Sequence, residues 1–169
     1  MSEQEGILVL GLGNSLHGDD GFGPRIIMEL QKRYEMPAAV ELADGGILGL
    51  SILPIVERHH HMIVVDTVAL GNEPGTMYRF PLSELKVPEA PPHHIHLMGV
   101  AEVLRILKND GYEVEGTVIG IEPAAITPWV MGLSPTIEAK IAEAVELVAG
   151  ELKRRGYPAA AAVEGKDGG

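Results

Sequence analysis

The sequence predicts an α/β fold: a mostly parallel twisted sheet of about five strands, with helices on both faces in a three-layer arrangement. Three observations carry that prediction. Apolar runs of strand length alternate with amphipathic stretches of helix length, the signature of βαβ units with right-handed crossovers. The apolar runs are continuous rather than alternating, as strands covered on both faces require. The chain has 169 residues, enough for one domain with a proper core.

Taken in order, ILVL (Ile7 to Leu10) is the first buried strand, and GLGNSLHGDDGFG (Gly11 to Gly23) leads from it into a helix. In that helix, Ile26, Ile27, Leu30 and Tyr34 recur at helical spacing. AVELA (Ala39 to Ala43) is a second strand ending in Asp44-Gly45-Gly46, and Ile47 to Val56 reads as a helix despite Pro54. MIVVD (Met62 to Asp66) is the most strand-like run in the chain. Pro74-Gly75 is a turn, and TMYRF after it alternates like an edge strand. Pro88 to Pro92 is a proline-rich loop, His96 to Leu107 an amphipathic helix, and VIGIE (Val118 to Glu122) a further buried strand. Pro135 to Arg155 reads as one long final helix, with Ser134 as its N-cap and proline at the first helical position. Residues 1–157 are expected to form the single domain. Residues 158–169, alanine- and glycine-rich, are expected to be a disordered tail.

Composition narrows the function. Hydrophobic residues make up 46% and charged residues 22%, and the net charge is −11 with no basic run, which argues against nucleic acid as a partner. No cysteine is present, which excludes disulfides, thiolate metal sites and a cysteine nucleophile, and fits a cytoplasmic location. The acidic MSEQEG start and the glycine-broken run after it suggest neither a signal peptide nor a membrane span.

The glycine-rich loop raises the question of what it holds. A dinucleotide fingerprint would be GxGxxG; Gly11 and Gly13 fit, but Leu16 stands at the third position. Asp19 and Asp20 would also repel a pyrophosphate at the helix N-terminus. Asp44 lies where a ribose-binding acid belongs, which is all that remains of that reading. Helix capping accounts for one of Asp19 and Asp20 but not for both, and a metal ligand is a good candidate for the second. Asp66, closing its apolar run, either braces the following loop or reaches the ligand crevice at the carboxyl edge of the sheet.

Two histidine clusters differ in placement. His59 to His61 precede their strand and read as a solvated run at the amino edge. HHIH, His93 to His96, enters a helix on the carboxyl side, where His94 and His96, two apart, cannot share a face. No GxSxG elbow and no HExxH pair are present. Two carboxylates and one imidazole would suit nickel, zinc or manganese with coordination positions left open.

GLGNSLHGDDGFGPR resembles the opening motif of the hydrogenase maturation proteases, endopeptidases that trim the large subunit of nickel–iron hydrogenases. The likeness continues through ADGGILG, MIVVDTVALGNEPGT, HLMGVAEVL, VIGIEP and the GLSP helix, covering Ile7 to about Leu152. The resemblance implies metal ligands at Asp20, Asp66 and His96, the last from His96-Leu97-Met98-Gly99-Val100. Leu97 stands where the family usually has a polar residue. Asp44 corresponds to an accessory acid, so Asp20, Asp44 and Asp66 are the implied catalytic acids. It further implies that nickel is supplied by the substrate, with zinc or cadmium able to replace it in vitro, and that a hydrogenase large-subunit precursor is the partner. A non-catalytic nickel-binding chaperone could use the same three residues. A monomer is expected. Met77, Tyr78 and Trp129 are compatible either with a docking face or with ordinary core and rim.

Overall fold

A computed structural model describes residues 5–46, 49–85 and 95–163. The elements run β1 (Ile7–Leu12), α1 (Phe22–Arg33), β2 (Tyr34–Glu35), β3 (Val40–Gly46), α2 (Leu53–Glu57), β4 (His61–Thr67), β5 (Met77–Pro81), α3 (Ile95–Asn109), β6 (Glu115–Ile121), α4 (Pro135–Glu138), α5 (Ile141–Arg154) and β7 (Ala160–Ala161). The main sheet has the order β3-β1-β4-β6-β5. β3, β1, β4 and β6 are mutually parallel, and β5 pairs antiparallel to β6 at the edge, as the alternating TMYRF segment suggested.

Strand alternation divides the core into two layers. Ile7, Val9, Ile63, Val65, Ile119 and Ile121 face α1 and α5, meeting Phe22, Ile26, Leu30, Val145, Val148 and Leu152. Leu8, Leu10, Met62, Val64 and Val118 face the other way, onto Ile52, Val56, Val100, Val103 and Leu107 of the α2 and α3 layer. Each strand therefore contributes to both cores, which is why its sequence reads as unbroken apolar residues.

Some expectations needed correcting. The helix expected over Ile47 to Val56 is a 3₁₀ turn at Gly49–Ile52 followed by the short α2 with Pro54 near its start. The final helix is broken into α4 and α5, and Ser134 is the N-cap of α4. Part of the expected disordered tail pairs with the end of α1: β7 joins β2 as an antiparallel ribbon, and the Ala162 N–H donates to the Arg33 carbonyl. Nor is His59 solvated. It is buried, with Nδ1 2.7 Å from the Ile55 carbonyl and Nε2 3.0 Å from Glu41. The His59 to His61 cluster does lie at the amino edge of β4, as expected.

At that same end, buried Glu151 of α5 gathers Arg79, Arg154, Arg155 and the Thr117 hydroxyl around one carboxylate. Burial alone would raise its pKa, but the hydrogen bonds from Thr117, Arg154 and Arg79 and the Arg79 charge outweigh it and hold the group at about 2. A carboxyl depressed in the folded state stabilises above its unfolded value and loses that contribution as pH falls through its folded value. Thermal stability should therefore fall as this group is protonated, between roughly pH 4.5 and pH 2. Glu151→Gln should flatten that part of the profile, as thermal unfolding across the pH range would reveal.

Candidate functional site

The chain leaves β1 toward the α1 layer, whereas the segment after β3 returns on the α2 and α3 layer. β1 therefore has β3 on one side and β4 on the other, and the connections diverge at the carboxyl ends of these strands. Such a divergence opens a crevice just beyond the strand ends. Asp20 and Asp66, two of the acids singled out from the sequence, sit there.

Asp20 lies in the 3₁₀ turn Gly18–Gly21, between β1 and α1, and is 6% exposed. Its Oδ2 accepts the Asn14 N–H at 3.0 Å, which closes the loop on itself. The glycines make that closure possible. Gly13 has φ +131°, and a Cβ there would fall 1.9 Å from the Asp20 carbonyl oxygen. A Cβ on Gly23 would fall 2.1 Å from the Leu12 carbonyl and 2.6 Å from that of Val65. The start of α1 therefore rests directly on the ends of β1 and β4, and the Asp20 turn packs against β4. The loop is shaped to seat a carboxylate at the crevice, where a pyrophosphate reading would need bare N–H groups.

Asp66, the last residue but one of β4, lies opposite Gly120 of β6 and is 2% exposed, with Oδ1 accepting the Thr67 N–H at 2.7 Å. By alternation it falls on the α3 face with Met62 and Val64. α3 ends at Asn109, and Glu115 then begins β6 beside His61 at the amino edge. The helix therefore starts at the carboxyl edge, and the His96 backbone lies in its first turn. His93 and His94 lie outside the described residues.

Asp44 stands apart from this group. It is exposed on β3, opposite Gly11, with β1 between it and β4. Its Oδ1 accepts the N–H of Gly46 at 2.9 Å, turning the chain at the strand end. Alternation places it on the α1 face with Leu42, away from the face of Asp66.

Neither adjacent aspartate caps α1, contrary to the capping expectation; its N-cap is Gly21, with no side-chain bond. Asp19 is fully buried and serves the segment between β6 and α4. Its carboxylate accepts N–H groups from Ala124 and Ala125, both at 2.9 Å, from Ser134 at 2.7 Å, and the Ser134 hydroxyl at 2.9 Å. Glu122, to which the sequence reading gave no role, holds the segment after Asp66 in a similar way. It accepts from Leu70 N–H at 2.8 Å, Gly71 N–H at 3.0 Å and the Tyr78 hydroxyl at 2.7 Å. Burial and this bond to Glu122 push the Tyr78 phenol's pKa up. Two buried acids thus brace the loops on either side of the crevice. Glu122 was detectable only as a charged residue ending an apolar run, as Asp66 is.

Comparison with known proteins places the chain in a family and matches its fold. A family model described as hydrogenase maturation protease matches residues 24–151, which include Asp44, Asp66 and His96. The hydrogenase 2 maturation protease of Escherichia coli is 38% identical over 157 residues, covering 90% of this chain and 94% of that protein. The hydrogenase expression/formation protein HupD of Rhizobium leguminosarum is 35% identical over 161 residues, covering 94% and 80%. Among solved structures, the hydrogenase maturating endopeptidase HybD from E. coli superposes with a TM-score of 0.82 at 34% identity, covering 92% of this chain and 97% of that one.

Proposed function

The chain belongs to the hydrogenase maturation protease family, and from that membership we propose that it removes the C-terminal extension of a nickel–iron hydrogenase large-subunit precursor once nickel is in place. In this reading Asp20, Asp66 and His96 receive the nickel that the precursor carries. The supporting observation is the divergence of connections between β1 and β4, which leaves two buried carboxylates at the carboxyl edge, Asp20 in a turn that contacts β4 and Asp66 next to the end of β4. Carboxylate and imidazole donors suit a divalent metal of this class, and three protein donors leave positions for the donors of the precursor. Zinc or cadmium could occupy the same donors in vitro.

Cleavage falls to water, since the chain has no cysteine and no serine nucleophile elbow. Asp44, on the far side of β1, serves at most as an accessory acid and not as a fourth ligand. No helix among the described residues is long and apolar enough to cross a membrane, which suits a partner met in solution.

The assignment of the imidazole is tested with two variants assayed on a nickel-loaded precursor. His96→Ala should lower cleavage by roughly a hundredfold or more, and His94→Ala should cleave as the wild type does. The opposite pattern would move the ligand to His94, and wild-type cleavage by both would remove His94 and His96 from the site and leave His93 as the candidate.

A further inference from the structure

The segment joining β6 to α4, from Pro123 to Ser134, is PAAITPWVMGLS and contains no charged residue, in a chain of net charge −11. It is also where apolar side chains reach solvent. Trp129, the only tryptophan, is 81% exposed, Met131 is 78% exposed, and Ile126 and Val130 are nearly half exposed. Leu16 is exposed on the loop after β1, next in sequence to His17, which bridges to Val130, and Leu70 is exposed on the segment following Asp66. Among the described residues, the remaining large exposed hydrophobics, Met28 and Val163, belong to other parts of the fold.

This surface is fastened to the crevice. The Gly18 N–H donates to the Val130 carbonyl at 2.7 Å, the Asp19 N–H to the Ala125 carbonyl at 3.0 Å, and the rings of His17 and Trp129 meet edge-on at 6.0 Å. The Asp19 carboxylate anchors both ends of the segment. Trp129 itself has φ +64°, a left-handed conformation that a bulky residue rarely adopts and that holds the indole outward. A strained, exposed aromatic held by buried hydrogen bonds is what an anchor residue at an interface looks like.

We infer that Leu16, Ile126, Trp129, Val130 and Met131 form the docking surface for an apolar segment of the hydrogenase precursor adjoining its scissile bond. The inference rests on the peptidase reading above. The surface is continuous with the crevice: a substrate that brings a peptide bond to Asp20 passes the neighbouring residue, Asp19, whose partners carry this surface. An uncharged window in an acidic molecule also selects apolar chain over charged chain.

The test uses the full-length protein and an intact nickel-loaded precursor. Trp129→Asn keeps a residue that tolerates the left-handed conformation, and Met131→Ser changes a side chain that is already in water. Each should raise KM for precursor cleavage, by roughly tenfold for Trp129→Asn, with kcat within about twofold of wild type. Unchanged KM in both would overturn the docking surface while leaving the peptidase reading intact. Labelling the single tryptophan with 5-fluorotryptophan gives a second readout that does not depend on cleavage. Its ¹⁹F resonance should shift on addition of precursor. If the wild type bound without cutting, a shift would still uphold the surface, and an unmoved resonance in the presence of bound precursor would refute it.

Discussion

An Asp66→Ala protein is expected to fold normally and to leave a hydrogenase precursor uncut. The substitution removes a carboxylate that is 2% exposed at the end of β4, together with its bond to the Thr67 N–H. A local hydrogen bond such as this is worth about 1 kcal/mol. The four strands around it remain packed on both faces, so the unfolding temperature should move by only a few degrees. Processing should fall by roughly a thousandfold or more, because the proposed nickel-binding set of Asp20, Asp66 and His96 loses one of its three donors. Asp20→Ala should behave in the same way. Intact-mass analysis of the precursor and thermal unfolding of the variant together check this. Residual processing near the wild-type rate would take Asp66 out of the site.

Asp19→Ala should do nearly the reverse, although it changes the adjacent aspartate. Asp19 is fully buried and accepts four hydrogen bonds, from Ala124, Ala125 and twice from Ser134. Removing it leaves three backbone N–H groups without their acceptor, at a cost of about 3 kcal/mol. For a domain of this size that lowers the unfolding temperature by roughly 6–12 °C. The Pro123 to Ser134 segment would lose its anchor, so processing should weaken through KM first. Asp19→Asn keeps one acceptor oxygen and should fall between the variant and the wild type. A stable Asp19→Ala protein would mean that the segment is held chiefly by its backbone bonds to Gly18 and Asp19.

The contrast between these neighbours marks the boundary of what the sequence could reveal. β1, β4 and β6 were legible because a strand buried on both faces must be apolar throughout, and α1 because its apolar residues recur at helical spacing. Asp66 was legible because a charged residue at the end of such a run can only emerge at the sheet edge. The partners of Asp19 lie more than a hundred residues away, at Ala124, Ala125 and Ser134, and no local pattern records them. No local pattern records the pairing of His59 with Glu41 either, or of Glu122 with Leu70 and Gly71. The break between α4 and α5 has neither glycine nor proline to announce it; Ala139 and Lys140 simply pass through a turn. Asp44 matched a motif, yet motif spacing does not say on which face of the sheet a strand-end residue falls.

The measurement that tests the account most directly is the intact mass of a hydrogenase large-subunit precursor from the same organism, before and after incubation with this protein. Nickel-loaded and nickel-free precursors are compared side by side. Loss of a single C-terminal peptide from the loaded form alone is the predicted result, with nickel as the signal read by Asp20, Asp66 and His96. Equal cleavage of both forms would contradict recognition through nickel, and an unchanged mass in both would contradict processing of this precursor altogether.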